Sequence, residues 1–118
     1  MFESFSQERY EKELEALFVR FPSVQNVSFS EAYKPGLERM LAFNELLGSP
    51  DKSCRIIHVA GTNGKGSVSN MLASSLAAHG YKTGIYTSPH IEDFRERMRI
   101  ARPGQVAEMV SKEYVYSF

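Results

Sequence analysis

The segment from Ile56 to Tyr86 constrains the fold of this chain more than any other. Ile56-Ile57-His58-Val59-Ala60 is a short, β-branched, nearly continuous apolar run, and Gly61-Thr62-Asn63-Gly64-Lys65-Gly66-Ser67 follows it directly. Val68, Met71, Leu72, Ser75 and Leu76 then recur at helical spacing as far as Gly80, and Lys82-Thr83-Gly84-Ile85-Tyr86 reads as a second strand. Apolar runs of this kind are typical of strands buried on both faces of a parallel sheet. Strand, glycine turn, helix and strand within about 30 residues make a βαβ crossover. The expected class is α/β, a P-loop-type three-layer arrangement about a parallel sheet.

The glycine segment suits phosphate. A loop that holds an anion must turn tightly and aim several backbone N–H groups at one point, which glycine permits. Gly61, Gly64 and Gly66 lie between predicted strand and predicted helix, and Lys65 can meet β and γ phosphates as a cation. The positive end of the following helix adds roughly half a charge. Ser67 brings a hydroxyl to the helix start, where it can cap, bind phosphate or help place Mg²⁺. The general pattern Gly-x-x-x-x-Gly-Lys-Ser/Thr is not met, since Val59 and Gly66 stand where glycine and a hydroxyl are required. The competing reading is a glycine-rich turn with an exposed lysine.

Upstream, Tyr10, Leu14, Leu17, Phe18 and Phe21 form an amphipathic stripe from Gln7 to Phe21 that Pro22 stops. A polar connection leads to Pro35. From there Leu37, Met40, Leu41, Leu46 and Leu47 predict a helix over 35–47, closed by Gly48 and Pro50. Downstream, Thr87-Ser88-Pro89-His90 is turn-rich, Arg95 to Ile100 is a candidate short strand, and Gln105 to Phe118 has no fixed period.

At 118 residues the chain is long enough for one core and short for two. Its 14 basic and 14 acidic residues cancel, which argues against a general polyanion or membrane-surface partner. A single cysteine, Cys54, excludes an internal disulfide and a multi-cysteine zinc site. Met1-Phe2-Glu3-Ser4 has no export-signal character, and no apolar run approaches the roughly 20 residues that span a bilayer. A soluble, cytoplasmic protein is expected.

Ala60-Gly61-Thr62-Asn63-Gly64-Lys65-Gly66-Ser67 resembles the shortened P-loop of the Mur ligase superfamily. With His58-Val59 before it, Tyr86-Thr87-Ser88-Pro89-His90 after it, and Asp93-Phe94-Arg95-Glu96-Arg97-Met98-Arg99-Ile100 beyond, the chain is similar to the folylpolyglutamate and dihydrofolate synthases. Lys34 to Met40 and Leu46-Leu47-Gly48-Ser49-Pro50 extend the likeness, which covers about residues 5–100. The resemblance implies the amino-terminal part of a Mur-ligase-like ATPase domain, incomplete here, over 1–100. Residues 101–118 read as a divergent tail, expected to be a truncation or frameshift product, and exposed sheet edges are expected to leave the chain marginally stable.

The resemblance further implies an ATP-dependent amide ligase. A folate or dihydropteroate carboxylate takes the γ-phosphoryl group, and the amine of L-glutamate displaces phosphate from the acyl phosphate. Lys65 is then the catalytic cation, and Gly61 to Ser67, that is Gly61, Thr62, Asn63, Gly64, Lys65, Gly66 and Ser67, hold the ATP phosphates. Ser88 ligates Mg²⁺. His90, Phe94, Arg95 and Arg97 fall on the pterin or folate loop, although Phe94 is equally a core candidate and the arginines a solvated edge. His58 and His79 read as structural. The partners implied are ATP, L-glutamate and folate or dihydropteroate, with no nucleic acid, no membrane and a monomeric full-length protein. Two alternatives stand beside this: a nucleotide-binding module or non-catalytic partner domain without ligase activity, and a Mur-type amino-acid ligase, against which the 87–97 segment argues.

Overall fold

The computed structural model describes residues 5–20 and 37–117, so the expectations placed on Phe21, the connection after it and Pro35 lie outside the described residues. The chain divides into two compact units, residues 6–58 and residues 59–118 together with 1–5. The length alone predicted one core. Among the described residues, the buried hydrophobic cluster of Ala73, Ala77, Ile85 and Ala101 lies in the second unit.

In the first unit, α1 spans Gln7–Arg20 and α2 spans Glu38–Leu46, followed by a short 3₁₀ turn at Pro50–Ser53. Glu8 in the first turn of α1 and Arg20 in the last complement the helix dipole. Tyr10 is buried and Leu14 half-buried, whereas Leu17 and Phe18 remain exposed. The predicted stripe of α2 is exposed throughout, Leu37, Met40, Leu41, Leu46 and Leu47 included. α2 ends where Gly48 and Ser49 both turn left-handed (φ 81° and 55°), and their N–H groups donate to the carbonyls of Glu45 and Asn44.

The second unit packs one helix on a small sheet. α3 runs Lys65–Ala78; β1 (Thr83–Tyr86), β2 (Met98–Ala101) and β3 (Glu108–Met109) form an antiparallel sheet in the order β1-β2-β3. Thr83 pairs with Ala101 and Tyr86 with Met98, and Arg99 of β2 pairs with Met109. Ala73, Ala77, Ile85 and Ala101 make the core, with Ala107 against it. α3 closes in a Schellman motif: Gly80 (φ 88°) is left-handed, its N–H donates to Ala77, and Tyr81 N–H donates to Leu76. His79 reinforces that end through Nδ1–H to the Ser75 carbonyl at 2.8 Å, as a histidine at the negative end of a helix should.

Two sequence expectations are corrected here. Ile56 to Ala60 form no strand, and Ile56 is 67% exposed. A strand exists only through a hydrogen-bonding neighbour, and among the described residues none pairs with this run. The sheet seen is antiparallel rather than parallel, because β1 returns through the 87–97 loop to pair with β2. On α3 itself, Val68, Met71 and Leu72 of the helical run are exposed, Met71 by 69%, whereas Leu76 of the same run is half-buried. The face that packs is Ser69, Ala73, Leu76 and Ala77, one helical turn after another. Small side chains win that face because they let the helix lie close to β1 and β2.

The segment after Ala101 joins this unit. Gly104 N–H donates to the Ala77 carbonyl at 3.0 Å and Val110 N–H to Met98 at 3.1 Å. A final helix, α4 (Lys112–Tyr116), starts at Ser111, whose hydroxyl accepts from Tyr114 N–H. No helix among the described residues is long and apolar enough to cross a membrane.

The packing assignment for α3 gives a direct test. Ala77, 2% exposed, has no room for a larger side chain, so Ala77→Leu is expected to destabilise by about 1–3 kcal/mol. Met71→Ser is expected to stay within about 0.5 kcal/mol of the parent. Thermal unfolding of both variants checks this, and the reverse order would put the core on the wrong face.

Candidate functional site

The glycine loop ends in a left-handed residue. Gly64 caps α3 at φ 78° and ψ 2°, which swings the chain into the helix, and the first helical bond runs from Val68 N–H to Gly64 at 2.9 Å. The N–H groups of Lys65, Gly66 and Ser67 precede the first residue with an intrahelical acceptor, so they point out of the positive end of α3. Lys65 is the first residue of that helix. Its Nζ folds back to donate to the carbonyls of Gly61 (2.6 Å) and Thr62 (3.2 Å), which holds the ammonium over the loop. Thr62, Asn63 and Ser67 are exposed. A Cβ built at Gly66 meets nothing within 4 Å, so the approach to the helix start is open. A cation, a helix start and a glycine loop thus occupy one place, as an anionic phosphate chain requires.

The 87–97 loop joins β1 to β2 and is tied at its base: Thr87 N–H donates to Arg97 (3.0 Å) and the Thr87 hydroxyl to the Glu96 carbonyl (3.4 Å). Ser88 and Pro89, joined by a cis peptide, are exposed. A short 3₁₀ helix at Phe94–Arg97 carries the rest, opened by a capping box in which Asp93 accepts from Arg95 N–H and Glu96 accepts from Asp93 N–H. Three of the four expected substrate residues gather here. Arg97 Nε donates to His90 Nδ1 at 2.7 Å, the Arg97 guanidinium lies 5.8 Å from the centre of the Phe94 ring, and His90 meets Phe94 edge to face at 5.9 Å. Because arginine always keeps its proton, Nδ1 must accept; the neutral ring therefore carries its proton on Nε2.

Arg95 is placed differently. Its fork grips the Asp93 carboxylate, with Nη2 to Oδ2 at 2.6 Å and Nε to both oxygens at 3.0 and 3.1 Å, while Nη1 reaches the Val110 carbonyl. The planar fork offered to a substrate carboxylate thus faces an internal one and ties the loop to the segment after β3. That arginine, through its side-chain hydrogen bonds, holds the Asp93 carboxyl below its ordinary value. Glu96 is lowered too, by the N–H groups of Asp93, Ile91 and Glu92. The structural work of Asp93 and Glu96 has a sequence signal, since Asp-x-x-Glu is itself a capping-box pattern.

Among the described residues no group of three His, Cys, Asp or Glu side chains could hold a metal ion. The exposed Ser88 hydroxyl suits a different donor set, in which one protein oxygen joins phosphate oxygens and water around Mg²⁺. His58 is exposed beside the glycine loop, and Cys54 is an exposed free thiol.

No protein-family model matches the chain. It is 49% identical over 67 residues to the dihydrofolate synthase/folylpolyglutamate synthase of Bacillus subtilis, covering 57% of this chain and 16% of that protein. The structure matches that of folylpolyglutamate synthase from Thermotoga maritima with a TM-score of 0.73 and 37% identity over 93% of this chain and 22% of that one. It also matches Mycobacterium tuberculosis folylpolyglutamate synthase, crystallised in complex with ADP and AMPPCP, with a TM-score of 0.69 and 33% identity over 95% of this chain and 22% of that one. The resemblance seen in the sequence, and the Mur-ligase fold it implies, are borne out by these relatives. The chain spans less than a quarter of the length of each.

Two measurements probe the loops. Gly64→Ala is expected to destabilise by about 1–2 kcal/mol, the cost of a left-handed non-glycine residue, although its Cβ would meet no atom. Gly66→Ala, inside the helix, is expected to stabilise by about 0.5–1 kcal/mol. Thermal unfolding of both variants checks the two opposite signs. For Asp93, whose carboxyl is lowered in the folded state, the stability contribution is complete above the ordinary value of 3.8 and is lost as pH falls through the lowered one. Asp93→Asn should therefore flatten the melting temperature profile below about pH 4, and an unchanged profile would remove the Asp93–Arg95 pair from the acid response.

Proposed function

We propose that this chain works as the nucleotide-phosphate-binding portion of an ATP-dependent ligase of the folylpolyglutamate and dihydrofolate synthase kind. The observation that carries the reading is the ammonium of Lys65 held over a glycine loop at the positive end of α3, with open space above Gly66. The 49% identity to the Bacillus subtilis enzyme supports the same reaction class, and the nucleotide complex of the Mycobacterium tuberculosis relative supports ATP as the nucleotide.

In this proposal the backbone N–H groups from Gly61 to Ser67, with the side chains of Thr62, Asn63 and Ser67 about them, grip the β and γ phosphates. Lys65 exchanges its two carbonyl acceptors for phosphate oxygens. Its charge then opposes the negative charge that gathers as the γ-phosphoryl group passes to a carboxylate. Ser88 supplies one oxygen to Mg²⁺, which when bound neutralises phosphate charge. Phe94 and Arg97 offer an aromatic face and a cation to a folate or dihydropteroate, and His90 presents a fixed Nε2–H. Arg95 contributes by holding the loop through Asp93. L-glutamate is the second substrate, and the setting is cytoplasmic. A nucleotide-binding module without ligation is the second reading, since the glycine loop, Lys65 and the start of α3 are enough to hold a phosphate chain.

Isothermal titration with ADP and with AMPPCP, each with Mg²⁺, tests the proposal. A charge-assisted contact contributes about 1.5–3 kcal/mol, so Lys65→Ala is expected to weaken binding by roughly 10- to 150-fold. Equal affinity in parent and variant would sink the phosphate-loop assignment. Glutamate-dependent phosphate release from ATP, measured alongside with folate and with dihydropteroate, separates the ligase from the bare binding module.

A further inference from the structure

We propose that Glu96 is the positioning residue of the Ser88–His90 turn: its carboxylate gathers three consecutive backbone N–H groups and so fixes the loop that presents Ser88 and His90. The bonds are short and divided between its two oxygens. Ile91 N–H donates to Oε2 at 2.8 Å, and Glu92 and Asp93 N–H donate to Oε1 at 2.9 and 2.8 Å. Three successive N–H groups aimed at one point are a concavity for an anion. Here the chain fills it with its own side chain.

The rest of the loop converges on the same place. The Glu96 carbonyl accepts from the Thr87 hydroxyl, the Arg97 carbonyl from Thr87 N–H, and Arg97 Nε holds His90 Nδ1. Residues 87, 90, 91, 92 and 93 are thereby all bonded to residue 96 or 97, and Ser88 and Pro89 form the exposed turn between them. Pro89 has no N–H of its own to anchor the turn. Loss of the Glu96 carboxylate would release residues 91–93, and with them the geometry that brings His90 to Arg97. Glu96 touches no reacting group; it acts through the Ser88–His90 turn. The ligand consequence rests on the function proposed above, whereas the loop consequence does not.

The carboxylate division makes a specific forecast. Glu96→Gln keeps one acceptor oxygen and sets an amide N–H₂ against a donor, so it can serve Glu92 and Asp93 but not Ile91. Amide hydrogen exchange on the chain should then quicken at Ile91 by about tenfold or more with the other two protected, while Glu96→Ala quickens all three. Nitrogen-15 spectra of His90 should show Nδ1 as an acceptor in the parent, and should show mixed tautomers in Glu96→Ala. Mg²⁺-dependent ADP affinity should fall in Glu96→Ala and recover in part in Glu96→Gln. Faster exchange with unchanged His90 nitrogen shifts would make Glu96 a helix cap alone and overturn the proposal, as would unchanged exchange in both variants. If Glu96→Ala fails to fold, Glu96→Gln carries the same exchange and nitrogen readouts. If the parent binds no ADP, the proposed function fails, and exchange with the nitrogen spectra still decides the role of Glu96.

Discussion

The close approach of α3 to β1 and β2 is the contact on which the second unit depends. Ala73 and Ala77 on the helix meet Ile85 and Ala101 on the sheet, so the helix brings only methyl groups to this contact. Alanine buries little apolar area, so the gain comes from dispersion between closely spaced backbones and from satisfied carbonyls at the helix end. Gly80, Tyr81 and Gly104 all donate to carbonyls of the last helical turns. The carboxyl end of α3 is thereby pinned beside the sheet, and its amino end carries the glycine loop.

Both candidate loops grow from ends of these packed elements. The glycine loop leads into α3, and the 87–97 loop leaves β1 and enters β2. They solve the same problem, exposed backbone donors at a turn, by opposite means. The glycine loop leaves its N–H groups open at the positive end of a helix and lodges a cation on its own carbonyls. The 87–97 loop fills its N–H concavity with Glu96 and grips Asp93 with Arg95. One arrangement is ready to take an anion; the other is shut to one and holds a shape.

Much of the glycine loop's geometry was legible in the sequence. Gly64 is the one residue type that takes φ 78° without strain, and Lys65 directly after it had to fall at the helix start. The α3 span, its Gly80 stop and the β1 segment were legible for the same local reasons. The burial of α3 was not. Val68, Met71 and Leu72 satisfy a helical period as well as Ala73, Leu76 and Ala77 do, so the period alone does not choose the buried face. Likewise the Ile56–Ala60 run has strand composition, yet pairing is decided by a neighbour that composition does not name.

What the sequence determined by itself was therefore local: the glycine that must turn, the proline and glycine stops, and the likeness to folylpolyglutamate and dihydrofolate synthases carried by adjacent motifs. Tertiary structure alone decided which face of α3 is buried, that β1 turns back to pair antiparallel with β2, and that Arg95 Nη1 reaches the Val110 carbonyl. The reason is physical. Backbone conformation at a glycine or a cap is set by the residue and its immediate neighbours, whereas burial and strand pairing depend on which distant segments arrive beside it.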